Sequence, residues 1–138
     1  LGQGRSEKKK TKGPPQAYSM THQESFPKRE HLVKTKDFRR AYKEGACFKK
    51  EPLALYRVVN NLGENRVGFA VSARSIKLAT RRNRIKRLLR EAYRKTKNEL
   101  RQGFDIVFSV RKNPARSMKY DDLKKIFLEL AGRADLLA

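Results

Sequence analysis

Apolar and polar residues recur with different periods along this chain, and each change of period predicts a separate element of structure. In 36–44 the apolar positions recur at i, i+3 and i+4 and Gly45 follows, which predicts a short helix. The segment 53–59 is rich in β-forming residues, and strict alternation over 67–71 predicts a further strand. The polar segment 60–63 between them has the composition of a turn.

The second half of the chain has a long helical pattern, then a strand and a final helix. Apolar residues keep helical spacing over 80–100. The segment 104–110 is largely apolar, which predicts a buried strand, and Asn113-Pro114 ends it. Apolar spacing from Tyr120 onward predicts an amphipathic helix. The predicted order is therefore helix, two or three antiparallel strands, helix, strand, helix.

Alternation within the strand 53–59 assigns its side chains to two faces. The residues expected to face the core are Leu53, Leu55 and Val59, and those on the opposite face are Ala54, Tyr56 and Val58. A sheet face that carries aromatic rings beside basic residues can stack unpaired bases of a single strand, whatever their sequence.

Composition divides the chain into two parts. Residues 1–25 contain glycines, prolines and three consecutive lysines, with few aliphatic side chains. Such a segment buries too little apolar surface to offset the entropy lost on ordering, so we predict a disordered basic extension. Residues 26–138 contain all the predicted elements and are expected to form a single domain.

The net charge restricts the function. The chain has 35 Lys and Arg residues against 14 Asp and Glu residues, which gives a formal net charge of +21. A compact state this basic repels itself unless it binds a polyanion, and nucleic acid is the simplest candidate.

Cysteine and histidine content excludes two kinds of site. Cys47 is the only cysteine, so no internal disulfide can form, and we expect a reducing, cytoplasmic location. Cys47, His22 and His31 together are too few ligands for a structural zinc site, which needs about four. No apolar run approaches about 18 residues, so we expect no membrane span.

The predicted helix over 80–100 concentrates the charge. Residues 74–101 contain twelve basic residues and two acidic ones. One face of the helix has an apolar stripe for packing on a sheet: Ile85, Leu88, Leu89, Ala92 and Tyr93. The opposite face collects Asn83, Lys86, Arg87, Arg90, Arg94 and Lys97. Arginine predominates, and its planar guanidinium binds phosphate through two hydrogen bonds.

The first turn of this helix carries cations where the helix dipole disfavours them. Arg81, Arg82 and Arg84 are each unfavourable there by about 0.3–1 kcal/mol, and Thr80, the expected N-cap, does not remove that energy. Cations placed without local compensation favour a nucleic-acid interface over the alternative, a solvated charged face. No helix-turn-helix, zinc-finger or heptad spacing is present, so the residues alone leave DNA and RNA open.

Two other classes of function compete with nucleic-acid binding by a non-catalytic subunit. A self-sufficient protein nuclease needs clustered carboxylates for metal ions. The adjacent pair Asp121-Asp122 is better explained as a cap and dipole partner at a helix N-terminus. So few histidines make a catalytic triad implausible, and His31 is expected on the surface near the first helix. A ribosomal or general RNA-binding protein stays an alternative.

One run in the basic helix reads Arg82-Asn83-Arg84-Ile85-Lys86-Arg87-Leu88-Leu89-Arg90-Glu91. It resembles the signature of the protein subunit of bacterial ribonuclease P. The flanking segments agree in order and spacing: Asp37-Phe38 and Tyr42 before Gly45, then 66–72, 104–108 and 111–114. An ordered set of this kind is more specific than the Arg-Asn-Arg triplet alone.

The resemblance implies a fold and a catalytic partner. The fold would be an α/β (α+β) two-layer sandwich, with a four-stranded, mostly antiparallel sheet and three helices in the order α-β-β-β-α-β-α. The basic helix would form a left-handed βαβ crossover, although right-handed crossovers are the general rule. The RNA subunit would carry out the chemistry with Mg²⁺, so the protein itself would supply no catalytic residue and no strong metal site.

The resemblance also implies two RNA-binding surfaces. The catalytic RNA would contact Arg82, Asn83, Arg84, Lys86, Arg87 and Arg90. The single-stranded 5′ leader of precursor tRNA would lie in a cleft formed by Lys36, Phe38, Tyr42, Tyr56 and Arg74. One protein per RNA would aid endonucleolytic removal of the leader. For Phe38, packing in the core is an equally good explanation.

One loop departs from the family pattern. Family members commonly carry a Lys-Lys pair just after the third strand, often followed shortly by glycine. This chain has Ser72-Ala73-Arg74-Ser75-Ile76-Lys77 at that place. The resemblance therefore assigns no contact in this loop beyond Arg74.

Overall fold

The elements of the fold follow the predicted order α-β-β-β-α-β-α. The computed structural model describes residues 26–114 and 118–137, so the extension predicted for 1–25 lies outside the described residues. The helices are α1 (Thr35–Glu44), α2 (Ala79–Thr96) and α3 (Tyr120–Arg133). The strands are β1 (Ala46–Lys50), β2 (Leu53–Val59), β3 (Arg66–Val71) and β4 (Phe104–Val110). Short 3-10 turns occupy Lys28–Glu30 and Lys97–Glu99.

The four strands form one mixed sheet in the order β1-β2-β4-β3. β1 with β2 and β2 with β4 are antiparallel, and β3 with β4 is parallel. The chain passes from β3 to β4 through α2, so the basic helix is the crossover connection. This arrangement confirms the predicted α+β fold and its four-stranded sheet. The left-handed sense of the crossover stays a prediction from the resemblance.

The main core lies between the sheet and the helices α2 and α3. Leu53 and Leu55 of β2 are fully buried in it, as predicted. Phe108 of β4 stacks on Phe127 of α3 with ring centroids 4.2 Å apart. Burial of large apolar side chains of this kind stabilises the domain, by about 1.5–3 kcal/mol for each one that is fully buried.

Val59 is not part of this core, and that expectation is wrong. The residue is 50% exposed at the end of β2. The helix layer ends before it, because Arg57 already reaches the end of α3 and donates a 2.6 Å hydrogen bond from Nε to the carbonyl of Ala134. The Arg57 guanidinium also covers the ring of Phe104 at 5.5 Å, so a cation marks the edge of the core.

Helix α1 packs on the opposite face of the sheet. Its Ala41 is buried against Val107 of β4 and Leu32 of the preceding segment. The predicted two-layer arrangement therefore describes the main core, and α1 adds a partial third layer. Because this second cluster is small, the side chains around it are only partly buried.

A buried carboxylate joins α1, β3, β4 and the turn after β2. Asp105 is fully buried and accepts hydrogen bonds from Arg66, Nε to Oδ1 at 2.9 Å and Nη2 to Oδ2 at 2.7 Å. Arg40 of α1 lies 3.6 Å from the same carboxylate, and Asn60 Nδ2 donates a 3.0 Å bond to it. Since a buried charge without partners is strongly unfavourable, this set of contacts fixes the position of α1.

A second buried carboxylate ties the segment before α1 to the basic helix. Glu30 accepts hydrogen bonds from Lys97 Nζ at 2.8 Å and from Tyr93 Oη at 3.3 Å. Burial raises the pKa of Tyr93, and the negative charge of Glu30 adds to the rise. Lys97 was expected on the cationic face of the helix, and this is wrong. The helix ends at Thr96, and the Lys97 ammonium is paired with Glu30.

Replacement of Asp105 should destabilise the protein far more than replacement of an exposed acid in contact with the same network. Asp105→Ala removes the acceptor of both Arg66 hydrogen bonds and leaves that guanidinium only the ion pair with Asp37 at 3.6 Å, so we expect the free energy of unfolding to fall by about 3–5 kcal/mol in urea denaturation. Glu44→Ala removes the exposed i,i+4 partner of Arg40 and should change that free energy by less than about 1 kcal/mol. Equal losses in the two variants would contradict the role given to Asp105.

Candidate nucleic-acid interface

The outward face of α2 carries a row of cations because its inward face is fixed in the core. Ile85, Leu89 and Tyr93 are at most 3% exposed, as the predicted apolar stripe requires. The residues left on the outward side, which we call the basic ridge, are Asn83, Arg84, Lys86, Arg87 and Arg90. Arg94 was expected on the same face, and it forms an ion pair with Glu91 one turn earlier.

Two shallow grooves run along the basic ridge and share Thr80 and Arg87. The first is completed by Asn83, Lys86 and Arg90, and the second by Leu78, Arg81 and Arg84. Among the described residues, no acidic side chain lines either groove. A phosphate in one of these grooves would meet cations from neighbouring turns, and guanidinium groups can bind it through paired hydrogen bonds.

Helix α2 begins and ends earlier than its pattern predicted. It spans Ala79–Thr96 rather than 80–100, and Leu78 is its N-cap residue. No side chain caps the helix, so the expectation that Thr80 is the cap is wrong. Thr80 already lies inside the first turn, because the extended backbone ends at Leu78.

Two of the three arginines predicted for the first turn of the helix bind the protein itself. Arg82 Nη1 donates 2.8 Å hydrogen bonds to both carbonyls of 76–77. Arg81 Nε donates a 2.8 Å hydrogen bond to Asn113 Oδ1, and its Nη2 donates a second one to the Pro114 carbonyl. The inference that these cations lack local compensation is therefore wrong for Arg81 and Arg82, whereas Arg84 is exposed on the ridge.

Three aromatic rings meet on the sheet face that α1 covers in part, and we call them the aromatic face. Tyr56 of β2 lies edge-on to Tyr42 of α1 with centroids 4.8 Å apart, and Phe38 lies 6.4 Å from Tyr42. Tyr42 is 42% exposed, and Phe38 and Tyr56 are half-buried. The structure thus brings together three of the five residues predicted for the leader cleft, with ring surface left for a stacked base.

Both phenols of the aromatic face have a pKa raised above the ordinary tyrosine value, so both are neutral at neutral pH. Burial raises the pKa of Tyr42, and a hydrogen bond with Ser109 opposes the rise. It also raises the pKa of Tyr56, which pairs in the sheet with the exposed Cys47 of β1, while the charge of Arg111 opposes the rise. Neutral phenols can donate hydrogen bonds to phosphate or base oxygens.

Gly68 of β3 lets Phe38 lie against the sheet. A Cβ atom at this position would come within 2.5 Å of the Phe38 ring and 3.1 Å of the Leu32 carbonyl. The ring therefore occupies the space that any other side chain at 68 would need. Phe38 packs beside the small cluster of Leu32, Ala41 and Val107 and also borders the aromatic face, so the two explanations of this residue are compatible.

The two cations predicted for the leader cleft lie in different places. Lys36 is exposed in the first turn of α1, two residues before Phe38. Arg74 is exposed in the loop after β3 and lines a pocket with 75–78 and Arg81. The structure thus places Arg74 beside the N-terminus of α2, next to the basic ridge. Its contact with a leader stays a prediction.

Sequence reasoning missed Ser109 and Arg111 beside the aromatic face. Ser109 lies between Ala54 of β2 and Ala70 of β3 in the sheet register, and Arg111 is close enough to Tyr56 to influence its pKa. Alternation along β4 could have placed Ser109 on this face. The pairing of the strands, which local sequence does not specify, decides that both residues neighbour the tyrosines.

Two further expectations concern acids and a histidine. Asp121 and Asp122 lie in the first turn of α3, where Asp122 Oδ2 accepts a 2.9 Å hydrogen bond from the Lys119 amide, as the capping interpretation predicts. His31 was expected on the surface and is half-buried. Its Nε2 donates a 3.0 Å hydrogen bond to the Phe26 carbonyl.

The described ranges, 26–114 and 118–137, also bear on metal binding and on membranes. Within these ranges, no group of three or more His, Cys, Asp or Glu side chains is placed to hold a metal ion. No helix in the same part of the chain is long and apolar enough to cross a membrane.

Comparisons with known proteins agree on one family. The family model described as Ribonuclease P matches residues 26–135. The ribonuclease P protein component of Pelotomaculum thermopropionicum is 40% identical over 105 residues, which cover 76% of this chain and 92% of that protein. The solved RNase P protein of Staphylococcus aureus matches with a TM-score of 0.71 at 26% identity, covering 79% of this chain and 98% of its own. The solved RNase P protein of Thermotoga maritima matches with a TM-score of 0.69 at 31% identity, covering 76% of this chain and 97% of its own.

Arg82→Ala should loosen the loop before α2, because it removes both hydrogen bonds to 76–77. We expect the free energy of unfolding to fall by about 1–2 kcal/mol and the loop amides to exchange faster with solvent. Arg84→Ala, two residues away and exposed, is the matched control and should change stability by less than about 0.5 kcal/mol. If both variants match the parent protein in stability and exchange, Arg82 does not hold the loop.

Proposed function

The chain belongs to the ribonuclease P protein family, and we propose that its two surfaces hold two different RNAs. The basic ridge binds the catalytic RNA subunit, and the aromatic face binds the single-stranded 5′ leader of a precursor tRNA. As a ribonuclease P protein component, the chain is part of an endoribonuclease that processes the 5′ ends of tRNAs. One protein acts with one RNA subunit.

The observation that carries this proposal is the position of the two surfaces on opposite faces of one sheet. The α2 helix that bears the ridge packs on the face of Leu55 and Phe108. The rings of Tyr42 and Tyr56 lie on the other face, with Val107. Two RNAs can therefore bind at the same time without competing for one site, which a subunit that joins an RNA enzyme to its RNA substrate requires.

The chemistry of the ridge suits a folded RNA. An A-form helix has a deep, narrow major groove that side chains cannot read, so a cationic helix binds its backbone. Arg84, Arg87 and Arg90 are exposed on α2, and their guanidinium groups match phosphate oxygens in pairs. Binding of this kind depends on RNA shape more than on base sequence.

The chemistry of the aromatic face suits an unpaired strand. Exposed ring surface of Tyr42 and Tyr56 stacks bases of any sequence, worth about 1–3 kcal/mol per base. Arg111 after β4 is close enough to Tyr56 to influence its pKa, and Lys36 is an exposed cation two residues before Phe38 on α1. Tolerance of sequence is what a leader-binding surface needs, because leaders of different precursors differ.

We assign the Mg²⁺-dependent chemistry to the RNA subunit. The described residues of this chain offer no group of acids or histidines that fits a metal ion. The two buried carboxylates, Glu30 and Asp105, are occupied by cations of the same chain. In this proposal the protein contributes binding and positioning, and the RNA subunit carries out the phosphodiester cleavage.

Cleavage of a precursor tRNA by the reconstituted complex tests the proposal. The protein alone should cleave nothing, and with its RNA subunit it should lower the Mg²⁺ concentration needed for removal of the leader. The Arg87→Ala/Arg90→Ala variant should need more protein for the same rate. Its binding should also depend less on salt, by a slope of about 0.7–0.9 for each phosphate that the variant no longer binds.

Lys125→Ala is the control for the ridge variant, because it removes an exposed cation from α3 and should behave like the parent protein. Cleavage by the protein without RNA would support a self-sufficient nuclease. An RNA subunit that gains nothing from the protein would favour a ribosomal or general RNA-binding role. Either result contradicts the proposal.

Tyr56→Ala should weaken binding of precursor tRNA by the assembled complex about 5- to 100-fold, since the variant cannot form one base–aromatic stack. Binding of mature tRNA, which has no leader, should not change. Val59→Ala alters an exposed residue on the same strand but the opposite face, and it should leave both affinities unchanged. Equal losses of affinity for precursor and mature tRNA would contradict the proposal that the leader binds to the aromatic face.

A further inference from the structure

We propose that a small pocket at the outer edge of β3 binds one unpaired pyrimidine base of the RNA subunit, with the neighbouring phosphate on Lys86 and Arg90. The inference rests on the proposed function and adds a base-binding site to it. The pocket has a volume of about 100 Å³, and the rings of Phe26, His31, Phe38 and Phe69 line it together with these two cations.

The walls of the pocket are formed by a segment that crosses the edge of the sheet. The Leu32 amide donates a 3.0 Å hydrogen bond to the Val67 carbonyl, so the chain before α1 extends the sheet beyond β3. The rings of Phe26 and His31 are in contact, tilted by 39° with centroids 4.0 Å apart, and the His31 Nε2 bond to the Phe26 carbonyl sets the ring orientation. The pocket is therefore preformed, which lowers the entropy lost on binding.

The aromatic walls continue into the core on one side and to the aromatic face on the other. Phe26 packs against Tyr93 at 5.0 Å and against Phe69 at 6.1 Å. Phe38 closes the opposite side, held against the sheet by the absence of a side chain at Gly68. All three phenylalanines are only half-buried, so the pocket leaves apolar ring surface in water that a planar ligand would cover.

The size of the pocket selects the ligand. An apolar cavity of about 150 Å³ encloses benzene completely, whereas this pocket of about 100 Å³ is smaller and open to solvent, so it has room for part of one six-membered ring inserted from its edge. A pyrimidine has one such ring, whereas a purine has a fused second ring that would stay outside. Unpaired bases stacked on aromatic side chains are the usual targets of protein recognition in folded RNA.

The charge of the pocket identifies the ligand as a nucleotide of the RNA subunit. Lys86 and Arg90, one turn apart on α2, line both this pocket and the groove of the basic ridge that contains Asn83 and Arg87. Within the described residues, no acid lines the pocket. A phosphate held by Lys86 and Arg90 thus belongs to a backbone lying along the ridge, and the adjacent base reaches the rings.

A variant that fills the mouth of the pocket tests the proposal. Val33 lines the pocket and is 72% exposed, so Val33→Phe adds a ring there without changing charge or core. We expect the affinity of the full chain for the RNA subunit alone to fall about 5- to 100-fold, as for the loss of one base stack. The salt dependence should be unchanged, because the substitution removes no cation that binds phosphate.

Leu62→Phe is the matched control, because it adds the same ring at an exposed apolar residue in the turn after β2 and should bind the RNA subunit like the parent protein. Equal affinities of the Val33→Phe and Leu62→Phe variants for the RNA subunit would overturn the proposal that the pocket binds a base. A loss that appears only with leader-bearing precursor tRNA would overturn the assignment to the RNA subunit. Failure of the parent protein to bind the RNA subunit would instead overturn the proposed function.

The preference of the pocket for a pyrimidine over a purine can be measured separately, by titrating single nucleotides into the protein. Uridine 5′-monophosphate titrated into the protein should shift the amide resonance of Gly68, and adenosine 5′-monophosphate at the same concentration should shift it less. The Val33→Phe variant should lose the uridine response, and Leu62→Phe should keep it. Equal responses to both nucleotides would overturn the preference for a pyrimidine.

Discussion

A fully buried carboxylate, Asp105, holds in place the helix α1, which carries two of the three rings of the aromatic face. Asp105 is held by Arg66 from β3, by Arg40 from α1 and by Asn60 from the turn after β2. Its desolvation is tolerable only while these partners stay in place, so it imposes one position on α1. That position puts Tyr42 beside Tyr56 and Phe38 over Gly68. An interaction that carries no RNA contact therefore shapes the face on which a single strand is proposed to bind.

The cations of the chain fall into two groups that composition does not separate. Some hold the fold, such as Arg57 at the end of α3, Arg82 at the loop before α2, and Lys97 at Glu30. Others, such as Arg87 and Arg90, are exposed. In the first group, hydrogen-bond donors of the cation are committed to carbonyls or to a carboxylate of the protein, so the second group is better placed to donate to phosphate oxygens. A net charge of +21 therefore does not tell how many cations are placed to bind phosphate directly.

Periodicity predicted most of the fold because most of it is set by local burial. The helix over 36–44 and the strand over 104–110 match α1 and β4 closely, since each buries one clear set of apolar residues. The short, polar β1 has no such pattern and depends on pairing with β2. The helical wheel misplaced Lys97 for a related reason: its partner, Glu30, lies 67 residues earlier in the chain. Residue type and strand parity indicated Tyr56, whereas the strand pairing decides that Ser109 and Arg111 are neighbours of the tyrosines.

The single thiol of this protein has a practical consequence. Cys47 is exposed on β1, pairs with Tyr56 across the strands, and has no second cysteine to compete with it. A thiol-reactive fluorophore would therefore attach at one known point, at the border of the aromatic face, without any engineered substitution. The unmodified sequence already contains an attachment point for spectroscopy of strand binding, at the place where a bound strand would alter the environment of the dye.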